Sequence, residues 1–280
     1  MRVLFCGVRG STPSPGPEFV RYGGNTSCVA LAWPGEPRPT LVIDAGTGLQ
    51  QLSRHLGNEP FRGTILLGHL HWDHTHGIPF FPAGDNPGSD VTLLMPAQGD
   101  PVEVLARAIS PPHFPITPPE LRGHWRFEAI EEGDHVIEKF DVLALDIPHK
   151  GGRTFGYRIS DGTATIAYMS DHWPIRRGDG PGGFGSYHEA AVRLAQDVDL
   201  LIHDAQYTAE EFDRRRDFGH SAIGYPVGLA EEAGSRSLML FHHDPSRTDA
   251  QLDEIVRSLA DAPVPVRAAH EGLELSLGAA

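Results

Sequence analysis

The segment Gly68 to Gly77 reads GHLHWDHTHG and follows directly on the apolar, strand-like run Thr64 to Leu67. Side chains that emerge where a strand ends commonly build sites. Four residues of ligating type, His69, His71, Asp73 and His74, crowd into six positions there. That density sets them apart from scattered surface histidines, although the chain holds 16 histidines in all. The alternation of His69 and His71 directs two imidazoles toward one centre, and Asp73 and His74 lie where the chain turns into a helix and can address a second. Two metal sites need more ligands than one motif supplies, so the fold has to bring distant residues to this strand end.

The rest of the chain supplies strands and helices in alternation. Short β-branched runs at Val3 to Cys6, Ser27 to Ala32, Thr40 to Asp44, Val91 to Met95, Trp125 to Ile130, Val142 to Asp146, Phe155 to Ile159 and Ala164 to Met169 read as strands. Leu200 to His203 and Leu238 to Phe241 join them in the second half. Leu49, Leu52 and Leu56 have helical spacing, and Tyr187 to Gln196, Thr208 to Arg215, Ala222 to Ala233 and Asp249 to Leu259 read as further helices. This order favours a layered α/β architecture over a sandwich of strands alone or a helical bundle. With 280 residues, 40% of them hydrophobic, the chain is long enough for one large core, and residues 1–280 read as a single domain. Proline or glycine density breaks the pattern at Ser110 to Pro119 and at Gly178 to Gly185, loops that are either surface excursions or functional.

The quoted motif, together with GVRGSTPSPGPEFVRYGGNTSCV near the start, LVIDAGTG, HKGGRTFGYRI, and LIHDAQYTAEEF followed by GHS, resembles the metallo-β-lactamase superfamily. Within it the pattern is most similar to the branch containing ribonuclease Z, the tRNA 3′-processing endonuclease, and its cyclic-nucleotide phosphodiesterase relatives. The resemblance spans nearly the whole length. It implies a four-layer αββα sandwich, two mixed sheets back to back with helices outside and two metals at one edge. It also implies that His69, His71 and His149 hold one metal, that Asp73, His74 and His242 hold the other, and that Asp171 bridges them. Zinc is the expected metal, and mixed nitrogen and oxygen ligation also admits manganese. Two residues depart from the ribonuclease Z pattern. His243 sits next to His242 and is the alternative for the last ligand, and His172 follows Asp171 where a small hydroxyl residue is usual; either histidine is open to an outer supporting role.

The chemistry implied is in-line attack of a metal-bridging hydroxide on phosphorus, with Asp73 helping to orient it. Protonation of the leaving alkoxide falls to His220 in FGHSAIG, oriented by Asp204 of IHDAQ. The plainer reading of that pair is a helix-capping histidine and a buried structural carboxylate.

The substrate expectation rests on size and charge. Ribonuclease Z carries a long tRNA-gripping arm between its third histidine ligand and its bridging aspartate. Here only 21 residues separate His149 from Asp171, and two strands nearly fill them. The formal net charge of -14 disfavours long nucleic acid as a partner. The run Arg214, Arg215 and Arg216, beside Glu210, Glu211 and Asp217, reads as a solvated helix end. A small phosphodiester, first of all a cyclic nucleotide, is the expected substrate. The other readings are tRNA 3′ processing through a partner subunit, hydrolysis of another ester, or a metal-dependent nucleotide sensor without turnover. Phe184 or Tyr187 could stack on a base. No apolar run is long enough for a membrane helix or a signal peptide, so a cytoplasmic location is expected. Cys6 and Cys28 read as buried thiols. Family members often dimerise, so a homodimer is a further expectation.

Overall fold

The computed structural model describes residues 1–173 and 186–278. The chain builds one sheet, crosses to build a second, and sends its last strand back to the first. The first sheet contains β1 (Arg2–Gly7), β2 (Cys28–Ala32), β3 (Leu41–Ile43), β4 (Arg62–Leu66), β5 (Asp90–Pro96), β6 (His124–Ile130) and the returning β14 (Glu274–Ser276), in the order β14-β1-β2-β3-β4-β5-β6. The second contains β7 (Gly133–Ile137), β8 (Phe140–Asp146), β9 (Phe155–Ser160), β10 (Thr165–Met169), β11 (Leu200–Asp204), β12 (Leu238–Phe241) and β13 (Val266–Ala268), ordered β13-β12-β11-β10-β9-β8-β7.

Both sheets are mixed, and their directions explain where a site can form. Strands β3 to β6 run parallel, as do β10 to β13. Strand β1 is antiparallel to β2, which is antiparallel to β3, so β1 points the same way as the parallel strands of its sheet. By the same count through β9, β8 points with β10. The loops after β1, β3, β4, β8, β10, β11 and β12 thus leave at carboxyl ends of like direction, where sites of α/β sheets collect.

Between the sheets lies a continuous apolar core that includes Phe5, Leu31, Val142, Tyr157, Ile166 and Phe241. Helices α1 (Leu49–His55) and α3 (Pro101–Ala106) pack on the outer face of the first sheet. Helices α4 (Glu189–Ala195), α6 (Gly224–Glu232) and α7 (Asp249–Ser258) cover the second. Central strands such as β2 and β11 are buried at every position, as strands covered on both faces must be. The four layers are the αββα sandwich that the resemblance implies.

Most expected elements are present with ends shifted by a few residues. Strands β7, β13 and β14 and helix α3 are additions, and the turn into a helix expected at Asp73 and His74 is the short helix α2 (Trp72–Thr75). Strand β7 is an edge strand with its alternate residues exposed, so its GDHVI carries little apolar signal. The expected helix from Tyr187 begins only at Glu189. The loop Gly178 to Gly185, with Phe184, lies outside the described residues. Among the described residues no helix is long and apolar enough to cross a membrane.

At the edge where the strand ends gather, the segment after β1 links the sheets. Gly10 N–H donates to the His243 carbonyl at 2.9 Å, and His243 N–H donates to the Val8 carbonyl at 3.0 Å. Fully buried Arg9 donates to the carbonyls of Gly23 and Arg247 at 2.7 and 2.6 Å. These bonds hold the ends of β1 and β12 side by side.

The core and the site are separable in this layout. Phe140 starts β8, at the opposite end from the site, fully buried and edge-on to Trp33 at 5.1 Å. Phe140→Ala is expected to cost about 3–5 kcal/mol of stability, read by urea denaturation, with metal content per folded molecule unchanged.

Candidate metal centre

Strand β4 stops at Leu66, and the backbone turns out through Gly68, whose N–H donates to Asp44 Oδ1 at 2.7 Å. His69 and His71 follow, and His71, in extended backbone, occupies the position before α2, which carries Asp73 and His74 on its first turn. The ring centroids of His69 and His71 lie 4.4 Å apart. His149, in the loop after β8, brings its ring to 4.8 and 5.0 Å from theirs. Ligand atoms of His69, His71 and His149 fall within 4.8 Å of one another, as do those of Asp73, His74, Asp171 and His242. These are the two ligand groups that the resemblance implies, assembled from four separate strand ends.

Asp171 lies between the groups. Its Oδ1 is 3.8 Å from His69 Nε2 and 3.6 Å from His149 Nε2, and its Oδ2 is 3.0 Å from His74 Nε2 and 3.4 Å from His242 Nε2. One oxygen thus faces each group. Both oxygens, both ring nitrogens of His69 and Nε2 of His74 are buried without a properly formed hydrogen bond. Buried polar atoms left in this state are costly unless something else binds them. Imidazoles and carboxylates converging from several directions fit a pair of divalent cations of the first transition row.

Outer contacts set which ring nitrogen faces inward. His74 Nδ1 lies 2.7 Å from Asp44 Oδ2, His149 Nδ1 lies 2.7 Å from the Gly219 carbonyl, and His242 Nδ1 lies 3.0 Å from Gln206 Oε1. With Nδ1 engaged outward, Nε2 of each ring is left for the centre. Asp44 is fully buried and also accepts from Tyr168 Oη at 2.6 Å, so its own position is fixed. Ser11 N–H donates to Asp73 Oδ2 at 2.7 Å. Two glycines are needed here. Gly219 has φ +95°, and a Cβ there would press on the His149 ring at 3.1 Å. At Gly10 a Cβ would meet His242 Nδ1 at 2.4 Å, inside the bond to Gln206.

Charge is divided unevenly. Burial pushes the His69, His71 and His149 imidazoles below the usual histidine range, which leaves them neutral with lone pairs available. In the second group burial acts the same way on His74, but Asp73, Asp44 and Asp171 overcome it and hold that imidazole well above its usual range. Against the same burial, Asp171 and Asp73 raise His242 to about 9. Burial works to raise the Asp171 carboxyl, yet His242, His74 and His69 keep it well below the usual carboxylate range. Without cations, protons on His74 and His242 balance the buried carboxylates.

His220, expected as proton donor, sits at the rim. Its Nδ1 is 3.0 Å from Asp204 Oδ2 and 3.6 Å from Asp171 Oδ1. Asp204 is fully buried and also accepts from the backbone N–H of Gln206 at 3.0 Å and of His172 at 3.3 Å. The adjacent histidines separate in role. His243 turns away to bond the Ala269 carbonyl at 2.9 Å, and burial lowers it to about 3. The His172 ring joins His203 and His188 at 2.8 and 3.0 Å, outside the ligand groups. Arg215 pairs with Asp244 at 2.7 Å. Tyr187 rests edge-on against Tyr225 at 5.1 Å. A cleft of about 390 Å³ opens onto the centre, lined by Ser11, Leu70, His71, Trp72, Asp73, Asp171 and His220.

Sequence reasoning missed Asp44, Gln206 and Ser11. A signal existed for Asp44, because LVIDAG places an acid at the end of an otherwise apolar strand. Backbone donation from Ser11, and the Gln206 amide among many, carry no comparable sequence signal.

A family model described as the beta-lactamase superfamily domain matches residues 40–243. The chain is 27% identical to a protein named ribonuclease Z from Anoxybacillus flavithermus, over 91% of each chain. Its fold is similar to that of a structure described as a new diphosphatase from the PhnP family, with a TM-score of 0.72 and 17% identity, covering 99% of this chain and 97% of the other. It is likewise similar to human tRNase Z, short form, with a TM-score of 0.67 and 20% identity over 99% of each chain.

Two outcomes follow for metal binding. Asp44→Ala should weaken metal affinity about 10- to 100-fold, measured by competition with a chromophoric chelator. Metal added to metal-free protein near neutral pH should expel protons, because His74 and His242 must lose theirs to ligate. Calorimetric titration in buffers of different ionisation enthalpy reads that release, and affinity should fall as pH is lowered.

Proposed function

This chain belongs to the beta-lactamase superfamily and is a metal-dependent hydrolase, and from that premise we propose that it cleaves a small phosphodiester, first of all a cyclic nucleotide. The observation that carries the reading is the pair formed by His220 and Asp204 at the mouth of the ligand cluster. We assign metal ligation to His69, His71, His149, Asp73, His74, Asp171 and His242, with zinc as the expected metal and manganese the second choice. Divalent cations held there supply an activated water and neutralise charge on the phosphoryl oxygens.

The side chains around the cluster have distinct tasks. Asp204 accepts from Nδ1 of His220 and fixes that ring, so a proton carried on Nε2 is available to the leaving oxygen. Ser11 N–H holds the Asp73 carboxylate in one orientation. Leu70 and Trp72 add apolar surface to the lining of the cleft.

Two features favour a small substrate. The chain between His149 and Asp171 is taken up by β9, a turn and β10. In that turn Asp161 accepts from the backbone N–H of Thr163 and Ala164 at 2.8 and 2.7 Å. No tRNA-gripping arm leaves from this place. The net charge of -14 works against a polyanion. The second reading, tRNA 3′ processing, is favoured by the match to ribonuclease Z along 91% of the chain.

Metal-loaded protein should turn over at least one of a panel of cyclic nucleotides, an aryl phosphodiester and a tRNA precursor with a 3′ trailer. His220→Ala is expected to lower kcat about 10²- to 10⁴-fold with metal content retained, whereas Asp73→Ala should lose both activity and metal. Cleavage of the tRNA precursor alone would replace the first reading with the second. A loss of bound metal in His220→Ala would count against its assignment as proton donor.

A further inference from the structure

Trp72 stands between two of the ligands it is flanked by in sequence, His71 and Asp73, yet its side chain is 75% exposed. One side of it lines the cleft over the metal centre. It also lines a second cavity of about 400 Å³, bounded further by His76, Arg107, Ile109, His113 and Phe114. The loop Ser110 to Pro119, singled out by its proline density and given no task so far, supplies His113 and Phe114. The phenyl rings of Phe80 and Phe114 meet edge-on at 5.7 Å, and His76 packs on Phe80 at 6.1 Å. Phe80 is itself 48% exposed. An indole and two phenyl groups left in contact with water beside a reaction centre are unusual for a surface with no occupant.

Polar groups reach this cavity from Arg107, His113, Thr75 and His76. Among the described residues, the side chains of Arg107 and His113, which both line it, make no hydrogen bond or ion pair. An indole, a phenyl ring and the guanidinium of Arg107 suit a flat ring with an acceptor-bearing edge.

We propose that this cavity is the base subsite of the substrate. A nucleobase stacks on Trp72 and against Phe114, and Arg107 donates to its acceptor edge, while the phosphodiester of the same molecule reaches the metal centre across Trp72. The inference rests on the reading of the site as a phosphodiesterase for a small substrate and adds where the selectivity for a base resides. Trp72 and Arg107 are binding residues here, and neither donates or accepts a proton in the reaction. The guanine edge, with two adjacent acceptors, is the best match to an arginine.

The test is calorimetric binding of GMP and of ribose 5-phosphate to the metal-loaded protein and to Trp72→Ala, Trp72→Phe, Phe114→Ala and Arg107→Ala. Phe114 and Arg107 lie away from the ligands, so those two variants remain informative if Trp72→Ala disturbs the metal centre. GMP should bind at least about tenfold more tightly than ribose 5-phosphate, the order expected of one base stacked on an aromatic side chain. That ratio should collapse in Trp72→Ala and Phe114→Ala, return in Trp72→Phe, and fall in Arg107→Ala. Equal affinity for the two compounds, no binding of either, or a ratio indifferent to all four variants would overturn the subsite. So would a dimer in sedimentation velocity that Phe114→Ala dissociates, with no base preference, because the cavity would then be a contact between copies. Hydrolysis of phosphodiesters without a base preference would remove this inference and leave the phosphodiesterase reading standing. A base preference without hydrolysis would do the reverse.

Discussion

The carboxylate of Asp171 is buried among imidazoles, with one oxygen toward each of two ligand groups and no good hydrogen bond to either oxygen. A charge in that position cannot be left to itself. It is balanced by protons on His74 and His242 when metal is absent, and the converging nitrogens and oxygens suit two cations when metal is present. The surrounding structure follows from this demand. Rings must present Nε2 and not Nδ1, so each needs an outward partner, which Asp44, Gly219 and Gln206 supply. Those partners must in turn be held, and Asp44 is held by Gly68 and Tyr168 from opposite sheets.

The double sheet is suited to that task because its strands give many chain exits at one edge. Strands of like direction in each sheet end together, so residues separated by more than a hundred positions meet without long loops. The crossing of the β1 and β12 extensions, through Gly10 and His243, locks the two edges in register. It also keeps the His243 ring out of the clustered groups. Its backbone belongs to that crossing and its ring bonds Ala269, whereas His242, at φ +56°, turns its ring to the centre.

Much of this was legible from residue order. The motif from His69 to His74 points to a metal site because it packs four residues of ligating type into six positions, and the structure brings them into two clusters of a kind that could hold metal ions. The buried strands show as apolar runs because both their faces are covered, and the helices α5 (Ala209–Arg215) and α7, expected at Thr208 to Arg215 and Asp249 to Leu259, are capped by the hydroxyls of Thr208 and Thr248. Edge elements were less visible. Strand β7 exposes alternate residues, and β13 and β14 have three residues each, too few for a period to show.

By itself the sequence determined the clustering of ligating side-chain types from His69 to His74, the alternation of layers and the short span between His149 and Asp171. Each is written in neighbouring residues, whose spacing directly sets which side chains share a face or a turn. Tertiary structure alone decided that Asp44 serves His74, that Ser11 offers a backbone N–H to Asp73, and that Trp72 divides two cavities. Those are contacts between residues far apart in the chain, or made by backbone atoms that every residue possesses. Only the packing of one sheet on the other brings them within reach.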